Sequence, residues 1–90
     1  MAEIVYTDSY LKRAKKFIKN HPELISQYEK TLKVLEINPN HPSLKLHKLH
    51  GKLAGLHAVS INISYRISIY LYIEKDKIIP VDIGSHDVVV

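Results

Sequence analysis

The chain contains no cysteine in its 90 residues. Disulfide bonds, thiolate zinc ligands and thiol nucleophiles are therefore excluded. No apolar run approaches the roughly 18 residues that a membrane-spanning helix requires. The opening MAEIVYTDSY has neither the apolar core nor the small-residue cleavage site of a secretory leader. The expectation is a cytoplasmic protein with no membrane contact. There is no repeat, no low-complexity tract and no linker, so residues 1–90 read as a single domain. Acid is also missing from one long stretch. From Ile37 to Ile73 there is no Asp or Glu, while Lys45, Lys48, Lys52 and Arg66 lie there with His41, His47, His50 and His57. The formal net charge is +4. A basic stretch without internal counter-charge points to an anionic partner, either nucleic acid or an acidic protein segment.

What is present is enough apolar content to fold. Hydrophobic residues make up 46% of the chain, which excludes a disordered polymer. Ile4, Val5 and Tyr6 favour a short strand over Glu3–Thr7. Thr7, Asp8 and Ser9 are good helix caps. From Ser9 to about Lys19, Leu11, Ala14 and Ile18 form an apolar stripe flanked by Tyr10 and Phe17. Lys12, Arg13, Lys15, Lys16 and Lys19 occupy the opposite face. Pro22 suits the first turn of a second helix, which carries Ile25, Tyr28, Leu32 and Leu35 on one side and ends at Asn38-Pro39. Beyond Pro42 the period falls to 2. Leu44, Leu46 and Leu49 suggest one strand. Val59, Ile61 and Ile63 suggest the next, then Ile67, Ile69, Leu71 and Ile73, then Ile79, Val81 and Ile83. Ser64-Tyr65 and Lys75-Asp76 read as hairpin turns, and Pro80 marks an edge or a bulge. The expected architecture is α+β, in the order β-α-α-β-β-β-β, with a helical hairpin packed on a mainly antiparallel twisted sheet.

Alternation sorts the polar residues by face. Arg66, Ser68, Tyr70 and Tyr72 should project from the side of the sheet that the helices leave open. A guanidinium fork there suits bidentate contact with phosphate, and an ion pair with Asp82 is the competing reading. His86 follows Gly84 and can give or take a proton near neutral pH, or simply be solvated. His47-x-x-His50 has an apparent metal spacing. In a strand, however, residues three apart point to opposite faces, and no carboxylate lies near. Lys45, Lys48, His50 and Lys52 read better as a rim that grips phosphates, or as an edge strand kept soluble by lysine.

The element order, the Lys-x-His-x-Leu-x-Gly run from Lys45 to Gly51, the Tyr65-Arg66-Ile67 motif and the closing Asp82–Asp87 segment together resemble the RelE/ParE toxin superfamily. The resemblance covers essentially the whole chain and is strongest to its YafQ-like and YoeB-like members. It implies a RelE-like fold and the toxin of a type II toxin–antitoxin system, neutralised by a cognate antitoxin. In the ribonuclease branch it implies metal-independent cleavage of messenger RNA on the ribosome, with no cofactor. The gyrase-directed ParE branch, which binds a protein target, and a catalytically weak family member are the alternatives under the resemblance; composition alone also fits a small basic RNA-binding module without catalysis. Under the resemblance His47, Arg66 and His86 are the catalytic residues. His86 and His47 would exchange protons, and Arg66 would hold the scissile phosphate. Lys45, Lys48, His50 and Lys52 would contact the RNA backbone. Ser60 and Ser64 stand where YafQ-like toxins place a histidine and an aspartate. Ser43 replaces a glutamate of YoeB-like toxins, and Val90 replaces a terminal aromatic residue.

Overall fold

A computed structural model describes residues 2–85. The first helix, α1 (Asp8–Asn20), starts where Thr7 keeps an extended backbone and its Oγ1 accepts the Tyr10 N–H at 3.1 Å. That bond satisfies one of the donors a helix start leaves unpaired. Its buried line is Tyr10, Ala14 and Phe17. Leu11, expected in the core, is exposed. One residue is about 100° around a helix, so Leu11 and the two large rings cannot share the narrow inward face. The rings bury more area and take it.

A 3-10 turn at Pro22–Leu24 leads into α2 (Ile25–Ile37). This turn changes the phase of the pattern. Leu24 is buried and Ile25 is exposed, the reverse of the spacing-based expectation for Ile25. Leu35 is fully buried, and Thr31 is buried with its hydroxyl donating to the Gln27 carbonyl at 2.7 Å. The hydroxyls of Tyr10 and Tyr28 meet at 2.9 Å and tie the two helices together.

The described residues form five strands, β1 (Glu3–Ile4), β2 (His47–Lys48), β3 (His57–Ser60), β4 (Tyr65–Tyr72) and β5 (Lys77–Ser85). They lie in the order β1-β5-β4-β3-β2, and only the β1–β5 pair is parallel. The class, the element order and the mainly antiparallel sheet match the expectation. The helices cover one face, burying Val59, Ile67, Ile69, Ile78 and Ile83 beneath Tyr10, Phe17 and Leu35.

Several boundaries differ from the sequence pattern. β1 is two residues long, not five. Leu44 closes a 3-10 turn (Pro42–Leu44), so the strand expected to run from Leu44 to Leu49 is only His47–Lys48. The β3–β4 turn is built on Asn62, whose Oδ1 accepts the N–H groups of Ser64 and Tyr65 at 2.8 and 3.0 Å. Ile63 at its tip is exposed. Ile73, expected on the buried side of β4, lies beyond the strand in a 3-10 turn (Ile73–Lys75) and is exposed. On β5, Ile78, Pro80 and Ile83 are buried rather than Ile79, Val81 and Ile83. A bulge causes this: Ser68 pairs with Asp82 while Ile69 pairs with Pro80, so Val81 is an extra residue and the parity changes there. Pro80 is tolerated because it sits at that irregularity.

The other face is only partly open. Leu49, Leu56 and Ala58 form a second, smaller cluster there with Leu53 and Val81. Ser68 belongs to this face but is buried, contrary to its expected exposure.

Candidate functional site

The site begins with a two-residue edge strand. Lys45 adopts a left-handed backbone (φ 49°) at the end of the Pro42–Leu44 turn, redirecting the chain into β2. The Lys45 carbonyl accepts a hydrogen bond from His47 Nδ1 at 2.8 Å. A carbonyl can only accept, so Nδ1 carries a proton. In the neutral ring Nε2 then carries the lone pair. Arg66 Nη1 lies 3.5 Å from that Nε2 and donates toward it.

Sheet register explains why these two residues, 19 positions apart, meet. His47 faces Ala58 across β2–β3, and Ala58 faces Ser68 across β3–β4. Opposed residues share a face, and Arg66 is two residues from Ser68, so His47 and Arg66 are diagonal neighbours on that face. Across the ladders Arg66 faces Ser60 on one side and Gly84 on the other, and Gly84 has no side chain. The competing ion pair is taken elsewhere. Asp82 Oδ2 lies 3.5 Å from Arg13 Nη1 of α1. Among the described residues no carboxylate is within 4.0 Å of Arg66.

Four of the remaining assigned residues lie along the edge strand β2 and the segments on either side of it. Lys45, Lys48, His50 and Lys52 are all exposed. Lys48 faces His57 across the ladder and so projects to the helix side, opposite His47. His50 precedes the 3-10 turn that contains Lys52. No hydrogen bond or ion pair among the described residues engages the side chains of these four. His86 lies outside the described residues. Tyr70 and Tyr72 are exposed on the Arg66 face, with ring centroids 6.1 Å apart.

His57 was given no role from the sequence, although strand parity already put it on the helix side with Val59. Its Nδ1 is buried without a hydrogen-bond partner. Its pKa lies below the ordinary 6.5, first because burial disfavours the charged ring, then through the positive charges of Lys48 and His47. Among the described residues no group of three or more His, Asp, Glu or Cys is gathered to hold a metal ion. No helix among them is long and apolar enough to cross a membrane.

Comparison with known proteins is decided by shape. No family profile and no curated protein matches the chain by sequence. Solved structures do match over its length. YafQ from E. coli strain BL21(DE3) superposes with a TM-score of 0.78 at 14% identity, covering 99% of this chain and 98% of that one. The fold is the RelE/YoeB-like toxin fold. A metal-bound toxin from Helicobacter pylori gives a TM-score of 0.77 at 22% identity with full coverage of both chains. The heterotetrameric YoeB-YefM toxin-antitoxin complex from Staphylococcus aureus gives 0.69 at 20% identity, covering 96% of this chain and 98% of that one. This RelE/YoeB-like fold puts His47 and Arg66 side by side on the sheet face away from the helices.

Proposed function

We propose that the chain is the toxin of a type II toxin–antitoxin pair, a metal-independent endoribonuclease that cuts messenger RNA on the ribosome in the cytoplasm. The observation that carries this reading is the contact of His47 Nε2 with Arg66 Nη1 at 3.5 Å, in a fold shared with known toxins.

The chemistry follows from the protonation of that pair. Cleavage without a metal uses the 2′-hydroxyl of RNA as nucleophile. His47 Nε2, held as the acceptor by the Nδ1–Lys45 bond, takes the 2′-hydroxyl proton. The 2′-oxygen bonds to phosphorus and the bond to the 5′-oxygen breaks, leaving a 2′,3′-cyclic phosphate. The departing 5′-oxygen needs a proton, a role that suits His86. Arg66 turns its N–H groups from His47 to the phosphate and stabilises the added negative charge of the phosphorane. A 3.5 Å contact is long and is exchanged at little cost. Lys45, His50 and Lys52 supply affinity for neighbouring phosphates with little sequence choice, and Lys48, which leaves β2 on the helix side, joins them only around the open edge of that strand.

The acid-free window also defines the antitoxin. It should present an acidic segment that neutralises this face, with an affinity that falls as salt rises. The test is cleavage of ribosome-bound message by the wild type, His47→Ala and His86→Ala. Wild type should cut and both variants should lose most activity. Growth arrest by a wild-type protein that cuts no message would replace this reading with a protein-target toxin of the gyrase-directed kind.

A further inference from the structure

The sequence marks a second group of cations, on α1, which the reaction does not use. Lys12, Lys15, Lys16 and Lys19 are all exposed on the side of α1 opposite Tyr10, Ala14 and Phe17. None is within 4.0 Å of a carboxylate among the described residues. Lys12 with Lys16, and Lys15 with Lys19, are like charges at i, i+4, an arrangement that weakens a helix.

Beside this face lies an open cleft of about 410 Å³ between α1 and the end of β5, bordered by Arg13, Lys16, Asn20, His21 and Asp82 above Phe17. The His21 ring covers an aromatic floor. Its centroid is 4.7 Å from that of Phe17 and 4.9 Å from that of Tyr65. One carboxylate, Asp82, borders the cleft, and Glu23 is held beside it by His21. Asp82 is engaged by Arg13 at 3.5 Å and by the Ile83 N–H at 2.8 Å, and Glu23 lies 3.7 Å from His21 Nδ1. Among the described residues Lys16 is a cleft cation with no such partner.

Tyr65 joins this cleft to the site. It directly precedes Arg66 on β4, and the two residues point to opposite faces. The strand end therefore shows a guanidinium on one face and the Tyr65–His21–Phe17 aromatic group on the other. We propose that the α1 cleft is a second RNA-contact surface, taking a single-stranded segment that flanks the cut bond and passes over this end of the sheet. A base stacks on His21, and Lys12, Lys16 and Lys19 hold successive phosphates. This rests on the RNA-directed reading of the site. Cations interleaved with a stacking ring suit a nucleic-acid strand better than an acidic peptide, which would use the lysines alone.

The test is fluorescence anisotropy with a labelled 20-nucleotide RNA carrying 2′-O-methyl sugars throughout, which cannot be cut. Lys12→Ala/Lys16→Ala/Lys19→Ala should bind about 100-fold more weakly at 0.1 M salt, and its slope of log affinity against log salt should shrink by about 2. His21→Ala should lose about tenfold, and His21→Phe should keep wild-type affinity because it still stacks. The melting temperature of the triple variant should hold or rise, because like-charge pairs are removed. Wild-type affinity and slope in the triple variant would overturn the proposal. So would a triple variant that loses binding to a hexaglutamate peptide but not to the RNA. Because the readout is binding, a protein that uses this surface but cuts no message would sink the nuclease reading alone. A nuclease whose triple variant binds normally would sink this one alone.

Discussion

Replacing Arg66 with alanine isolates the charge on which the proposed reaction depends. The half-buried side chain makes a 3.5 Å contact with His47 and, among the described residues, no ion pair. Its loss should therefore change folding stability by less than about 1 kcal/mol. The catalytic loss should be much larger. Removing one preorganised donor from a developing anion costs about 10²–10³ in rate, or roughly 2.7–4 kcal/mol. A guanidinium provides two donors to phosphate, so Arg66→Ala should reach at least the upper part of that range. Arg66→Lys keeps the charge but not the fork and should recover only part of the loss. The assay is single-turnover cleavage of ribosome-bound message at fixed salt, with a thermal melt as the control for folding. The loss should appear in the chemical step, because the phosphorane carries more charge than the bound phosphodiester. Activity within about threefold of wild type would refute the reasoning, since so small a change is under 1 kcal/mol of transition-state stabilisation. A loss confined to binding and recovered at low salt would reduce Arg66 to a backbone contact.

Three further outcomes follow from particular contacts. Lys45→Gly keeps the carbonyl that orients His47 and suits the left-handed backbone at φ 49°. It should raise KM through the lost cation, leave kcat near wild type and gain up to about 1 kcal/mol in a thermal melt. A collapse of kcat would show that the Lys45 ammonium takes part in the chemistry. Tyr10→Phe removes the 2.9 Å bond to Tyr28 while keeping the fully buried ring, and should cost about 1 kcal/mol in urea unfolding; no change would mean that water replaces the bond without loss. His57 is held below its ordinary pKa of 6.5, so the unfolded chain protonates first as pH falls. Its contribution is fully present above pH 6.5 and is lost as pH drops from there toward the lowered folded value. His57→Leu should flatten the pH dependence of stability in that window, and an unchanged slope would rule His57 out as its source.

The candidate site was readable in the sequence to the extent that it follows from strand parity. Arg66 stands out as the one arginine in a stretch free of acid, and the even spacing in Tyr65–Tyr72 already separates it from Ile67 and Ile69, whereas His47 is one of four histidines there and was singled out by the family resemblance. The same parity failed at Val81. A bulge is set by how two strands share their hydrogen bonds, not by the composition of either one. It failed again at Ser68, which is on the expected face but is covered by the Leu49–Leu56–Ala58 cluster. That cover comes from the loop between β2 and β3, whose course the period of β4 does not contain. Asp82 likewise looked available to Arg66 until α1 brought Arg13 to it.

The amino-acid sequence alone determined the class and order of the elements, because hydrophobic period, caps and proline breaks are local. It also carries a stretch of 37 residues without Asp or Glu, from which an anionic partner is expected. Tertiary structure alone decided which imidazole meets the guanidinium. Residues 47 and 66 become neighbours only through two successive antiparallel registers, and a one-residue slip in either would send one side chain to the opposite face. The tautomer of His47 was decided in the same way, by a left-handed turn at Lys45 that aims a carbonyl at Nδ1.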